Sequence, residues 1–173
     1  SAERAPTASP QARFEEGVAA LQAGENARAV EALSEAFEAL RSAGRMTDAG
    51  LVAHWLAQAL EATGHPQIDQ AYAFPVAAQE KVRDSRAFVG SARALMRRDG
   101  AGRGEWAATR LIDRIVAGMD EALREDAVAA LVKHYAEPGR QALRAAAMAR
   151  LAQVQGGGEL LTYVRATTRS LDA

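Results

Sequence analysis

The feature that most constrains this chain is a corner. Residues 21–40 read LQAGENARAVEALSEAFEAL, with Gly24-Glu25-Asn26 set between two runs of strong helix formers. Before it, Phe14, Val18 and Leu21 recur at i, i+4 and i+7, the spacing of one helical face. After it, Val30, Leu33, Phe37 and Leu40 make a second stripe, opposite Glu31, Glu35 and Glu38. Glycine suits the left-handed residue that stops a helix, and asparagine suits the cap that starts the next. Two helices joined by about three residues lie antiparallel and side by side. The corner therefore predicts a helical hairpin.

The same punctuation continues along the chain. Ser9-Pro10 is placed to open the first helix, over 11–23, because proline is pre-organised for the first helical position. Gly44 closes the second helix. A third starts near Thr47, buries Leu51, Val52, Trp55, Leu56, Ala59 and Leu60, and ends at Gly64-His65-Pro66. A return helix follows over 67–82, and Pro75, which lacks a backbone donor, is expected to kink or restart it. The next helix, over 76–98, buries Val82, Phe88, Val89, Ala92, Leu95 and Met96. The clearest break is RRDGAGRGE, residues 97–105.

Beyond that break, Leu111, Ile112, Ile115, Val116 and Met119 form the most aliphatic stripe. Leu123, Val128, Leu131, Val132 and Tyr135 extend it to Pro138-Gly139, with Gly118-Met119-Asp120 either interrupting the helix or lying inside it. A final pair spans 140–155, with Leu143, Met148 and Leu151, and 159–171, with Leu160, Leu161, Val164 and Leu171. Gly156-Gly157-Gly158 joins them as a flexible loop. The chain is alanine-rich with only 5% aromatic residues, and such side chains lose little rotamer freedom in helices. No segment alternates β-branched and polar residues over strand length, so no sheet is expected.

The expected fold is all-α, an array of seven to nine helices in antiparallel hairpins. Its organisation reads as a flexible arm over 1–10, hairpins over 11–98, a glycine-containing loop over 99–105, and C-terminal hairpins over 106–173 packed on the first part. At residues 17–37 the sequence resembles a tetratricopeptide repeat, most clearly within 11–43. The resemblance rests on the Gly24-Glu25 turn followed by Ala29-Val30, Leu33 and Ala36-Phe37. It implies a TPR-like α-solenoid in which small residues let paired helices approach and large ones fill the gap to the next repeat. It also implies an extended concave face that binds a peptide or helix of another protein.

Several chemistries find no footing. His54, His65 and His134 share no metal-ligand spacing, and no nucleophile elbow, P-loop or dinucleotide fingerprint is present. Gly156-Gly157-Gly158 lacks the Lys-Ser/Thr of a phosphate cradle. DEALRED, 120–126, reads as a solvated helix face with Asp120 and Arg124 paired at i, i+4. The absence of cysteine removes disulfides and thiolate ligands without deciding the compartment. No apolar run approaches the roughly 18 residues of a membrane span. The start, SAERAPTASPQ, has no initiator Met and resembles the mature end of a secreted bacterial protein as much as a trimmed chain, which leaves cytoplasm and periplasm both open. No enzyme, metal or cofactor is expected.

What remains is surface. The net charge of −1 divides unevenly: residues 1–70 carry 5 basic and 10 acidic side chains, and residues 71–114 carry 9 and 5. On a helix, Arg83, Arg86, Arg93 and Arg97 project to one side, and Arg98 and Arg103 extend them. That stripe suits an acidic protein surface, or the acidic helices of this same chain. Nucleic acid is disfavoured, because no exposed aromatic interleaves with the arginines and the pI is 6.3. Trp55 and Trp106 read as core, although an exposed tryptophan would anchor a bound peptide. The expected function is a non-enzymatic scaffold or adaptor, possible as one subunit of a larger assembly. Its candidate partner-binding residues are Phe14, Val18, Gln22, Trp55, Arg83, Arg86, Arg93 and Arg97. The alternatives are a nucleic-acid-binding regulator that uses the arginines and a small-ligand sensor with a pocket near a tryptophan.

Overall fold

The computed structural model describes residues 8–78 and 85–172. These form nine α-helices and two short 3-10 turns, with no strand among the described residues. The helices are α1 (Pro10–Gln22), α2 (Asn26–Ser42), α3 (Met46–Thr63), α4 (Ile68–Ala77), α5 (Ser85–Arg98), α6 (Arg103–Ala117), α7 (Glu121–Ala136), α8 (Gln141–Ala152) and α9 (Glu159–Leu171). The chain divides into two compact units, Ser1–Ala87 and Phe88–Ala173.

In the first unit, each of α1 to α3 packs on the helix that follows it, and α1 also touches α3. The corners that produce this arrangement are alike. At Gly24, Gly44 and Gly64 the backbone is left-handed, with φ of 77°, 73° and 68°. The residue after each glycine donates its N–H back five positions, from Glu25 to Ala20, Arg45 to Leu40 and His65 to Leu60, at 2.9–3.0 Å. Each glycine donates to the carbonyl three positions earlier. This pair of bonds satisfies the last carbonyls of a helix and needs a residue that tolerates positive φ, which is why glycine recurs at every twentieth position here. The start of α1 is capped as the sequence indicates: the Ser9 hydroxyl accepts from the Ala12 N–H at 3.1 Å, and Pro10 takes the first turn. Asn26 does not cap α2. It is the first helical residue, and Glu25 stands at the cap position without a side-chain bond.

Close approach of α1 and α2 comes from Gly17, buried against Leu33. A Cβ on Gly17 would lie 2.5 Å from Leu33 Cγ. Ala29, Ala32, Leu33 and Ala36 are all essentially fully buried along α2. Phe37 and Phe74 meet edge to face, ring centres 5.0 Å apart, tying α2 to α4. Pro75 does not restart the chain. It sits inside α4, which runs through it to Ala77. Of the helix read over 76–98, residues 76–77 belong to α4 and Ser85–Arg98 form α5, while 79–84, with Val82, lie outside the described residues.

The second unit is a cluster more than a row. Helix α8 packs on α6, α7 and α9, and α7 also touches α6 and α9. Its core includes Leu111, Ile112, Ile115, Val128, Leu131, Tyr135, Met148, Leu151, Leu161 and Val164. Gly118, at φ 122°, separates α6 from α7, so Gly118-Met119-Asp120 is a break. Val116, Leu143 and Leu171, assigned to buried stripes by spacing, are instead exposed, at 49%, 46% and 41%. Val116 and Leu171 lie at helix ends and Leu143 in the first turn of α8, where the periodic face runs past its neighbours.

Two loops are built differently from their sequence reading. Within the stretch 99–105, Gly100–Gly102 is a 3-10 turn and α6 already begins at Arg103. Asp99 holds a left-handed backbone and its carboxylate lies against Gly104, leaving no room there for a side chain. Arg140 clamps this corner, donating to Asp99 at 2.8 Å and to the His134 carbonyl at 3.3 Å. The triple glycine is pinned too. Arg165 donates to the carbonyls of Val154 and Gly156 at 2.7 and 2.8 Å, and Gly156 and Gly158 both have positive φ. Arg124, expected to pair with Asp120, donates instead to the Gln155 carbonyl at 3.3 Å. A backbone carbonyl from a packed loop thus replaces the i, i+4 carboxylate.

Candidate functional site

In the first unit a cleft of about 50 Å³ opens at the surface between α1 and α3. Pro10, Gln11 and Phe14 line it from α1, Leu40 from the last turn of α2, and Asp48, Leu51 and Val52 from α3, with Arg45 at the corner. The Gly44 turn sets this geometry, because its Arg45-to-Leu40 backbone bond brings the end of α2 against the start of α3. Its apolar lining is Pro10, Phe14, Leu40, Leu51 and Val52, of which Leu40 and Val52 are buried and the others partly exposed. The rim is polar. Arg45 and Asp48 pair at 2.6 Å, and Gln11 donates to Glu15 at 3.1 Å. The cleft can therefore seat one apolar side chain and offer hydrogen-bonding groups around it.

Of the residues predicted for partner binding, Phe14 lines this cleft. Val18 (half-buried) and Gln22 (exposed) follow it along the same face of α1, one and two turns on, outside the lining. Trp55 is half-buried one turn beyond Leu51, its ring 6.2 Å from that of His54. Leu40, Arg45, Asp48, Leu51 and Val52 were not foreseen as a site. Their grouping depends on how the Gly44 corner folds back, which the spacing of apolar residues does not encode. Arg86, Arg93 and Arg97 are exposed on one side of α5, and Arg83 lies outside the described residues.

Ion pairs run through the first unit. Arg13 bridges α1 to α2, donating to Glu16 at 2.6 Å and Glu35 at 2.7 Å. Those two bonds, Glu35 first, push the Arg13 guanidinium further up. The bond from Arg13 is the largest cause holding the Glu16 carboxyl below its usual range, with burial acting against it. Arg28 joins Glu16 and Glu25, and Arg41 joins Glu38.

The second unit holds a polar group that no local motif announces. The Glu105 carboxylate, in the first turn of α6, takes the Tyr135 hydroxyl at 2.8 Å and lies 3.1 Å from His134 Nε2. A carboxylate only accepts, so Nε2 carries the proton that bridges them. Both partners are buried, and His134 Nδ1 meets no hydrogen-bond partner. Burial first and Glu105 second push the Tyr135 phenol well above the ordinary tyrosine value. The residues are about thirty positions apart, so no local motif announces them. The remaining histidines serve elsewhere: His54 Nε2 meets the Gln58 amide at 2.9 Å, and His65 Nδ1 accepts from the Gln67 N–H. Trp106 is half-buried with Arg110 over its ring at 5.1 Å. Among the described residues no cluster of three His, Asp or Glu side chains is arranged to hold a metal ion, and no helix is long and apolar enough to cross a membrane.

Fold and cleft define the class: an all-α protein of consecutively packed helices, compatible with a helical-repeat fold. Compared with protein-family models, with curated proteins and with solved structures, the chain finds no match in any of the three.

Proposed function

We propose that this protein is a non-enzymatic scaffold or adaptor of tetratricopeptide-like build, whose receptor surface is the groove between α1 and α3. One observation carries the reading: Phe14, Leu51, Val52 and Leu40 form an apolar recess at the surface, ringed by Gln11, Arg45 and Asp48. An apolar centre inside a polar rim is how recognition sites for peptides and helices are generally composed. The exposed arginines of α5 offer a second contact of opposite character.

The test is capture of partners on the immobilised chain, with and without nuclease, in parallel with Leu51→Glu. Leu51 is partly exposed, so a charge there reaches the recess, and circular dichroism checks that the variant keeps its fold. Proteins held by the wild type, resistant to nuclease and released by Leu51→Glu support the groove. Retention unchanged by Leu51→Glu refutes it. Loss on nuclease treatment transfers the function to Arg86, Arg93 and Arg97 and to nucleic acid.

A further inference from the structure

We infer that the groove between α1 and α3 selects a cationic segment, one that places an aliphatic side chain in the cleft and a Lys or Arg beside it. The inference rests on the reading of this groove as the receptor surface and adds the chemistry of the occupant. A cleft of about 50 Å³ has room for a few methyl-sized groups, which suits the branched end of Val, Leu or Ile.

Charge sets what flanks that side chain. Over residues 10–77 the chain carries four arginines, Arg13, Arg28, Arg41 and Arg45, and nine carboxylates. Every one of the four arginines is already in an ion pair with a carboxylate of this same unit. Counted over residues 10–77, the formal balance is therefore negative. At the groove it falls on α1: Glu15 is exposed, is bonded to the lining residue Gln11, and has no ion-pair partner among the described residues. On the facing wall Asp48 and Arg45 neutralise each other at 2.6 Å, so the cation at that corner does not repel a basic ligand. An acidic ligand would meet Glu15, whose charge no ion pair among the described residues offsets. Like-charge contact of that kind discriminates between partners even where it adds little affinity.

The experiment is selection of phage-displayed random peptides on the full chain, followed by synthesis of the enriched consensus. Peptides pairing Val, Leu or Ile with an adjacent Lys or Arg are expected. The consensus peptide should bind Glu15→Lys about three- to ten-fold more weakly, and raised salt should erode its binding to the wild type. Glu15 is exposed, so this variant keeps its fold, which circular dichroism checks. Enrichment of neutral or acidic peptides that Leu51→Glu nonetheless releases overturns the charge inference and leaves the groove standing. A basic consensus indifferent to Glu15→Lys overturns it as well. Peptides indifferent to Leu51→Glu, or no enrichment, overturn both.

Discussion

Replacing Glu105 with alanine should destabilise this protein more than a half-exposed surface carboxylate ordinarily would. The Glu105 side chain is 37% exposed, yet the two donors it satisfies are buried: the His134 side chain is 1% exposed and Tyr135 is 1% exposed. Glu105→Ala leaves the His134 Nε2–H and the Tyr135 hydroxyl without their acceptor. A buried donor stripped of its partner costs about 1–3 kcal/mol. Water entering by the exposed side of Glu105 recovers part of this, so the combined loss is about 2–4 kcal/mol. For a chain of this size that lowers Tm by about 4–15 °C. Glu105→Gln should lose less, because the amide oxygen still accepts one of the two bonds. Thermal unfolding followed by far-UV circular dichroism measures both variants. A Tm for Glu105→Ala within a degree or two of wild type, or a Glu105→Gln variant worse than Glu105→Ala, would refute the reasoning. A double-mutant cycle with Tyr135→Phe then isolates the hydroxyl's share.

The same tyrosine predicts a pH dependence. Its phenol is raised in the folded state above the unfolded value near 10, so its contribution is complete below about pH 10 and is lost as pH rises through the folded value. Urea midpoints should fall above pH 10, and Tyr135→Phe should flatten that fall; an unchanged slope in the variant contradicts the assignment. Gly17→Ala probes the α1–α2 contact. Its Cβ would sit 2.5 Å from Leu33 Cγ and 2.7 Å from Leu33 Cδ2. Overpacking of about 1–3 kcal/mol there outweighs alanine's helix-propensity gain of about 1 kcal/mol. A net loss of up to about 2 kcal/mol is expected in denaturant unfolding, and a stabilised variant would show that α1 and α2 are less closely packed than described.

The sequence alone determined what depends on neighbours along the chain. A glycine that must take positive φ, a serine-proline start, and apolar residues at helical spacing act within a few residues of one another. They specify α1, α2 and the corners at Gly24, Gly44 and Gly64 before any tertiary contact forms. The face of α1 that carries Phe14 follows from periodicity for the same reason. Tertiary structure decided what depends on which surfaces meet. Helical spacing places Val116 and Leu143 on apolar stripes but cannot say where the neighbouring helix stops. The i, i+4 rule offers Arg124 a carboxylate at Asp120, and packing gives it the Gln155 carbonyl instead. Glu105, His134 and Tyr135 come together only because α6 lies against α7. Leu40, Arg45, Leu51 and Val52 surround one recess only because the chain turns at Gly44 and lays α3 beside α1. Local conformational energy fixes a helix within a few turns, whereas a site assembled from three helices exists only once their faces have been buried against each other.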